Sequence, residues 1–202
     1  MSFYSFWSFL KMMEKNFVTI VSGLPRSGTS MMMKALEAGG IPVLIDGIRK
    51  PDRDNPKGYY EFEPVKKTKE DPSWLREAGG KAVKMVYRLL YDLPEGYRYR
   101  VVLMQREMSE ILTSQKAMLE RTGQQGSNVG DDKLAALFKK DLEEIFQWIE
   151  HQSHFSKLIV SYNDMVRDPR PLCRRVNTFL GNCLDVDRMA GVVDAALYRN
   201  RG

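Results

Sequence analysis

Apolar residues along the chain gather in short unbroken runs, separated by longer segments in which they recur at helical spacing. Phe17 to Val21 is the first run, apolar and β-branched, the composition of a buried strand. Ile41 to Ile45, Lys81 to Val86, Tyr99 to Gln105 and Lys157 to Ser161 read as further strands, with Val101 to Met104 an unbroken apolar core. Between them, Met31 to Ala38 is made of good helix formers and is stopped by Gly39-Gly40. Met108, Ile111, Leu112, Met118 and Leu119 make one face of a helix over Glu107 to Arg121. Leu134, Leu137, Phe138, Leu142, Ile145 and Ile149 make the stripe of a long helix over Asp131 to Glu150, whose Lys139, Lys140, Glu143 and Glu144 form a solvated face. Asp168-Pro169 opens a helix that runs to Leu180 and ends at Gly181, and a last one covers Asp187 to Leu197. Lys66 to Glu77, of mixed charge, reads as one or two short surface helices. Strands alternating with helices predict an α/β fold: a three-layer α/β/α sandwich around a parallel sheet of about five strands.

The polar stretches fall where such a fold places its binding loops. Asp46 to Lys57 is rich in Gly, Pro, Asp and Asn, and Thr122 to Gly130 is a Gly/Ser/Asn loop. Gly58 to Glu63 follows the first of these. If extended, it puts Tyr59, Glu61 and Glu63 on one face and Tyr60 and Phe62 on the other. Residues 17–202 read as a single domain, preceded by an extension over residues 1–16 whose first ten residues, Met1 to Leu10, are aromatic and serine-rich and lack the features of a signal peptide. With 28% charged and 43% hydrophobic residues the composition is that of a soluble domain, and the net charge of +5 suits an anionic ligand. Two cysteines, Cys173 and Cys183, are too few for a disulfide scaffold and fit a cytoplasmic protein. No Cys/His cluster has metal-ligand spacing.

Chemistry enters after the first strand. Ser22-Gly23-Leu24-Pro25-Arg26-Ser27-Gly28-Thr29-Ser30 is a glycine turn between a strand and a helix, the geometry that aims backbone N–H groups and a helix N-terminus at a phosphate. Gly23, Gly28 and Ser30 match the Walker A spacing, but Thr29 stands where its lysine belongs, and the cation is Arg26. Two further stretches follow later strands. Arg106 ends the fourth strand, with Ser114 eight positions on. Tyr162-Asn163-Asp164 ends the fifth, followed by Asp168-Pro169 and a helix closing on Phe179-Leu180-Gly181.

Pro25 to Ser30 resembles the 5′-phosphosulfate loop of sulfotransferases, enzymes that use 3′-phosphoadenosine 5′-phosphosulfate (PAPS) and release its desulfated product, PAP. Arg106 and Ser114 resemble their 3′-phosphate motif, and Tyr162 onward their later strand end, with Asn163 where Glu is common. Asn55 to Glu61 is similar to a stretch in small bacterial-type members, so the resemblance runs from Phe17 to Arg199. It implies a P-loop-like sulfotransferase fold in which Arg26, Ser27, Gly28, Thr29 and Ser30 hold the phosphosulfate and Arg106 and Ser114 the 3′-phosphate. It implies sulfuryl transfer to a hydroxyl or amine on a small-molecule or glycan-like acceptor, without a metal. Lys84 stands at the place of the lysine in the Lys-Thr-His pattern of the soluble animal and plant enzymes, but the histidine is missing. His151 and His154 lie at the end of the long helix instead. Other sulfotransferases use a glutamate base, for which Glu61 is the candidate, with Glu63 second and Asp46 a further alternative. Lys84 and Arg26 would offset developing charge. Arg199 and Arg201 are candidates to add charge at the 3′-phosphate. Two other classes remain: a P-loop kinase or NTPase, disfavoured because no strand ends in the aspartate it would need, and a PAP(S)-binding protein without catalysis.

Overall fold

The structure is a computed structural model that describes residues 17–48, 58–123 and 129–194. The N-terminal extension, Asn55 to Lys57 and the terminal arginines Arg199 and Arg201 lie outside them. Four parallel strands form one sheet: β1 Phe17–Gly23, β2 Ala82–Lys84, β3 Arg98–Gln105 and β4 Phe155–Ser161, in the order β2-β1-β3-β4. The helices are α1 Thr29–Ala38, α2 Met108–Thr122, α3 Asp131–Glu150, α4 Tyr162–Arg167, α5 Pro169–Phe179 and α6 Val186–Gly191. Three 3₁₀ turns, Glu63–Lys67, Ser73–Glu77 and Tyr87–Asp92, cross the same side of the sheet as α3.

Alternation along each strand divides the core in two, because successive side chains point to opposite faces. On one face Val21, Val102, Met104 and Val160 meet Met32 and Leu36 of α1, Leu172 and Val176 of α5 and Met189 of α6. On the other, Val18, Ile20, Val83, Val101 and Leu103 meet Trp74, Leu75 and Leu90 of the 3₁₀ turns, Ile111 of α2 and Ile145 and Ile149 of α3. The architecture is therefore the expected three-layer α/β/α sandwich. Leu137, a member of the expected stripe, is exposed, whereas Phe138 and Leu142 pack against this core.

The sheet has four strands rather than about five. Ile41 to Ile45 makes only a single parallel bridge, Val43 with Ala82. Its partner β2 is three residues long, Pro42 has no N–H to donate, and at Asp46 the backbone N–H turns away to the carbonyl of Glu61. Gly58 to Glu63 is not a strand either. Tyr60 takes a left-handed φ of 54° that breaks the extended alternation, and Tyr59 is buried. The short helix α4, which follows β4 without a break, has no periodic signature in the sequence. His154 lies past the helix end, against Tyr99 and Phe155, at the opposite end of β4 from Tyr162.

Topology fixes where a ligand can sit. The chain leaves β1 through α1 to reach β2 on one side, then returns to place β3 on the other side of β1. The strand order reverses between β1 and β3, and open parallel sheets bind ligands in the crevice beyond the strand ends at such a point.

Candidate functional site

The turn after β1 fills this crevice. Gly23 closes the strand at φ 149°, in register with Met104 of β3, and a Cβ there would lie 2.6 Å from the Met104 carbonyl oxygen. Gly28 is the N-cap of α1 at φ 98°, and a Cβ there would lie 2.3 Å from the Tyr162 ring. Both glycines are thus required by close approach as well as by φ. Ser27 is fully buried, and its hydroxyl oxygen has no hydrogen-bond partner among the described residues. No side chain caps α1, and its first turn holds no acidic residue, so Thr29 and Ser30 begin a helix whose positive end faces the crevice. An orphaned buried hydroxyl beside an uncapped helix N-terminus and two arginines is a donor set fitted to an anion.

Arg26 holds the turn to the second expected motif. It has a left-handed φ of 74°, a conformation that costs a non-glycine residue about 1–3 kcal/mol unless its surroundings hold it. Arg26 Nε donates to Ser114 Oγ at 3.0 Å, and Arg106 Nη1 donates to the Arg26 carbonyl at 3.1 Å. Residues separated by 80 to 88 positions in sequence meet here because β1 and β3 are neighbours.

Behind Arg106 lies a polar cluster with no counterpart in the sequence-based expectations. Arg106 Nε donates to Glu110 Oε2 at 2.7 Å, one helical turn on, and both side chains are buried, at 7% and 5% exposure. Glu110 Oε1 accepts from Asn163 Nδ2 at 3.0 Å, and Asn163 Oδ1 accepts from the Glu107 backbone N–H at 3.3 Å. The Arg106 guanidinium also stacks 4.5 Å from the centre of the Tyr162 ring. Tyr162 therefore packs on the phosphate loop at Gly28 and beneath Arg106 at once. The i, i+4 spacing of Arg106 and Glu110 was visible in the sequence, but their burial was not.

On the other flank, Ser30 Oγ donates to the Tyr59 carbonyl at 3.2 Å, and Lys84 Nζ donates to the same oxygen. Lys84 Nζ lies 3.7 Å from Glu61 Oε1, with the two side chains 16% and 23% exposed, and 5.9 Å from the centre of the Tyr59 ring. The structure thus brings Glu61 and Lys84 to the edge of the glycine turn after β1, across β1 from Arg106. Tyr60 Oη donates to Glu37 Oε2 of α1 at 2.6 Å, and burial together with that carboxylate pushes the phenol well above its ordinary range. The alternatives to Glu61 are engaged elsewhere. The Asp46 carboxylate accepts the backbone N–H groups of Ile48 and Glu63, which hold it below the usual aspartate range. Glu63 pairs with Lys66. Asp46 and Glu63 serve as clamps on the Gly58 to Glu63 stretch.

Among the described residues no strand ends in an aspartate: β1 ends at Gly23, β2 at Lys84, β3 at Gln105 and β4 at Ser161. Among the described residues no helix is long and apolar enough to cross a membrane. No protein-family model and no curated protein matches the chain. Solved structures do. The sulfotransferase domain of the olefin synthase of Synechococcus PCC 7002 superposes at a TM-score of 0.51 and 16% identity, over 92% of this chain and 83% of that domain. A mouse sulfotransferase complexed with PAP superposes at a TM-score of 0.53 and 16% identity, over 93% of this chain and 67% of that one. The chain has the sulfotransferase fold. Within it the turn after β1 and the end of β3 flank one crevice, where Arg26, Ser27, Arg106 and Ser114 converge.

Proposed function

We propose that the protein transfers a sulfuryl group from PAPS to a hydroxyl or amine acceptor, in the cytoplasm. The observation that carries this reading is the junction at Arg26. Its side chain reaches Ser114 and its carbonyl receives Arg106, so the phosphate loop and the Arg106/Ser114 pair form one cationic crevice. A nucleotide with phosphates at both its 5′ and 3′ positions would use both halves. The fold shared with a mouse sulfotransferase solved with PAP supports that choice of nucleotide, and two free cysteines, Cys173 and Cys183, fit a reducing compartment.

In this reading the backbone N–H groups of Arg26 and of Gly28 to Ser30, with the Ser27 hydroxyl, hold the 5′-phosphosulfate, the Ser27 N–H being taken by the Leu24 carbonyl, and Arg106 and Ser114 receive the 3′-phosphate. The donor supplies an activated sulfuryl group. Glu61 takes the acceptor's proton as the new bond to sulfur forms and the bond from sulfur to the bridging oxygen breaks, leaving PAP. Arg26 and Lys84 offset the charge that develops on the sulfuryl and bridging oxygens. As in phosphoryl transfer, most of the work is positioning and charge stabilisation. The acceptor is a small molecule or glycan-like compound that meets Glu61 on the Gly58 to Glu63 stretch.

Titration calorimetry tests the donor. PAP should bind more tightly than AMP, because only PAP carries the 3′-phosphate. Equal affinity for the two overturns the assignment, and tighter binding of ATP with Mg²⁺ than of PAP would return the chain to the kinases.

A further inference from the structure

Arg106 cannot act as a loose surface cation. Its guanidinium meets Glu110 through Nε, the Arg26 carbonyl through Nη1 and the Tyr162 ring through its face. Of these, the bond to Glu110 is the charged one, and Glu110 is itself held. Its second carboxylate oxygen accepts from the Asn163 amide, whose own oxygen accepts the Glu107 N–H. The chain of bonds runs from α2 to the first turn of α4 and back to the start of α2. It exists because β3 and β4 are parallel neighbours in register at Gln105 and Ser161, so the residues just beyond each strand end face one another.

The chemistry at position 163 is narrow. The side chain must donate to a carboxylate on one side and accept an N–H on the other. An amide does both, whereas a carboxylate there would face Glu110 across about 3 Å as a like charge. We infer that Glu110 and Asn163 are a positioning pair: Asn163 orients the Glu110 carboxylate, and Glu110 fixes the direction in which Arg106 meets the phosphate of its ligand. Neither residue touches the ligand. Their effect is to remove the freedom of a long side chain before binding, so that less ordering is lost when the phosphate arrives. This inference rests on the proposed nucleotide reading.

A reciprocal swap tests it. Asn163→Asp alone sets two carboxylates against each other, and Glu110→Gln alone sets two amides against each other. In E110Q/N163D the amide now on α2 accepts from Arg106 through its oxygen and donates through its nitrogen to the carboxylate now on α4. That carboxylate still accepts the Glu107 N–H. Affinity for PAP and for AMP is measured by calorimetry on all four proteins, with melting temperature alongside. Each single variant should lose at least about tenfold in PAP affinity, with a much smaller loss for AMP, and the swap should restore PAP to within about threefold of the parent. Should N163D not fold, E110Q and the double variant still make the comparison. The pairing is overturned if the double variant loses as much as the two singles together. A loss that falls equally on PAP and AMP overturns it too, since it would mean a purely structural cluster. If the unmodified protein itself fails to prefer PAP over AMP, the nucleotide reading falls first, a result distinct from additivity in a protein that does prefer PAP.

Discussion

The two flanks of the phosphate loop are held in opposite ways. On the β3 side, Arg106 and Glu110 are 7% and 5% exposed and 2.7 Å apart, and Asn163, Tyr162 and the Arg26 carbonyl fix them from three further directions. On the β2 side, Lys84 and Glu61 are 16% and 23% exposed and 3.7 Å apart, and Glu61 sits on an irregular stretch with left-handed backbone at Gly58 and Tyr60. The first flank rests on the ends of β3 and β4 and the helices that follow them. The second is a loop clamped by a few hydrogen bonds, which is the kind of element that adapts to a substrate. In the proposed reaction the donor would lie against the first flank and the acceptor against the second.

Substitutions at each flank sharpen this contrast. The largest effect is expected at Glu61. Glu61→Gln should leave PAP affinity unchanged in calorimetry and lower turnover by roughly 10²- to 10⁴-fold, the contribution of a positioned general base. Retained turnover would move the role to Glu63, to Asp46 or to the substrate itself. Arg106→Ala comes next. It strands the buried Glu110 carboxylate, so urea unfolding should show a loss of about 3–5 kcal/mol. Any protein that folds should lose its preference for PAP over AMP.

Gly28→Ala should cost about 1–3 kcal/mol, because the new Cβ would meet the Tyr162 ring at a φ of 98°. A change in melting temperature within error would show that the Tyr162 ring yields easily and that the β3 flank is softer than described. The smallest effect is expected on the β2 flank, at the Asp46 clamp. The Ile48 and Glu63 N–H groups lower the Asp46 pKa in the folded chain, so the folded state holds the charged carboxylate better than the unfolded state does. That stabilisation is complete above the unfolded aspartate value and is lost as pH falls through the lower, folded one. The stability gap between the protein and Asp46→Asn, from denaturation midpoints across pH, should be open near neutrality and close below the ordinary aspartate range. A gap independent of pH would mean that the clamp does not depend on charge.

Much of this was legible along the chain. The glycine loop, the helix after it, the long helix over Asp131 to Glu150 and the apolar core of β3 follow from local composition and period, and they stand where expected. Strand length was less legible. Ile41 to Ile45 has strand composition, but a strand needs a partner, and β2 offers three residues. Gly58 to Glu63 has the alternation of a strand, but hydrogen bonds from Tyr60 to Glu37 and from Glu63 to Asp46 override it.

Local sequence thus determined the phosphate loop and the elements around it, because a turn needs particular residues at particular backbone angles and a helix needs a period. Gly23 and Gly28 could be named from spacing alone. Only the tertiary structure decided that Arg26 meets Ser114, that Glu110 is buried rather than solvated, and that Asn163 completes it. An i, i+4 arginine and glutamate reads as an ordinary exposed helix pair in any sequence. What turns it into a buried, directed pair is the register of β3 with β4, a relation between segments more than 50 residues apart. No window along the chain contains it.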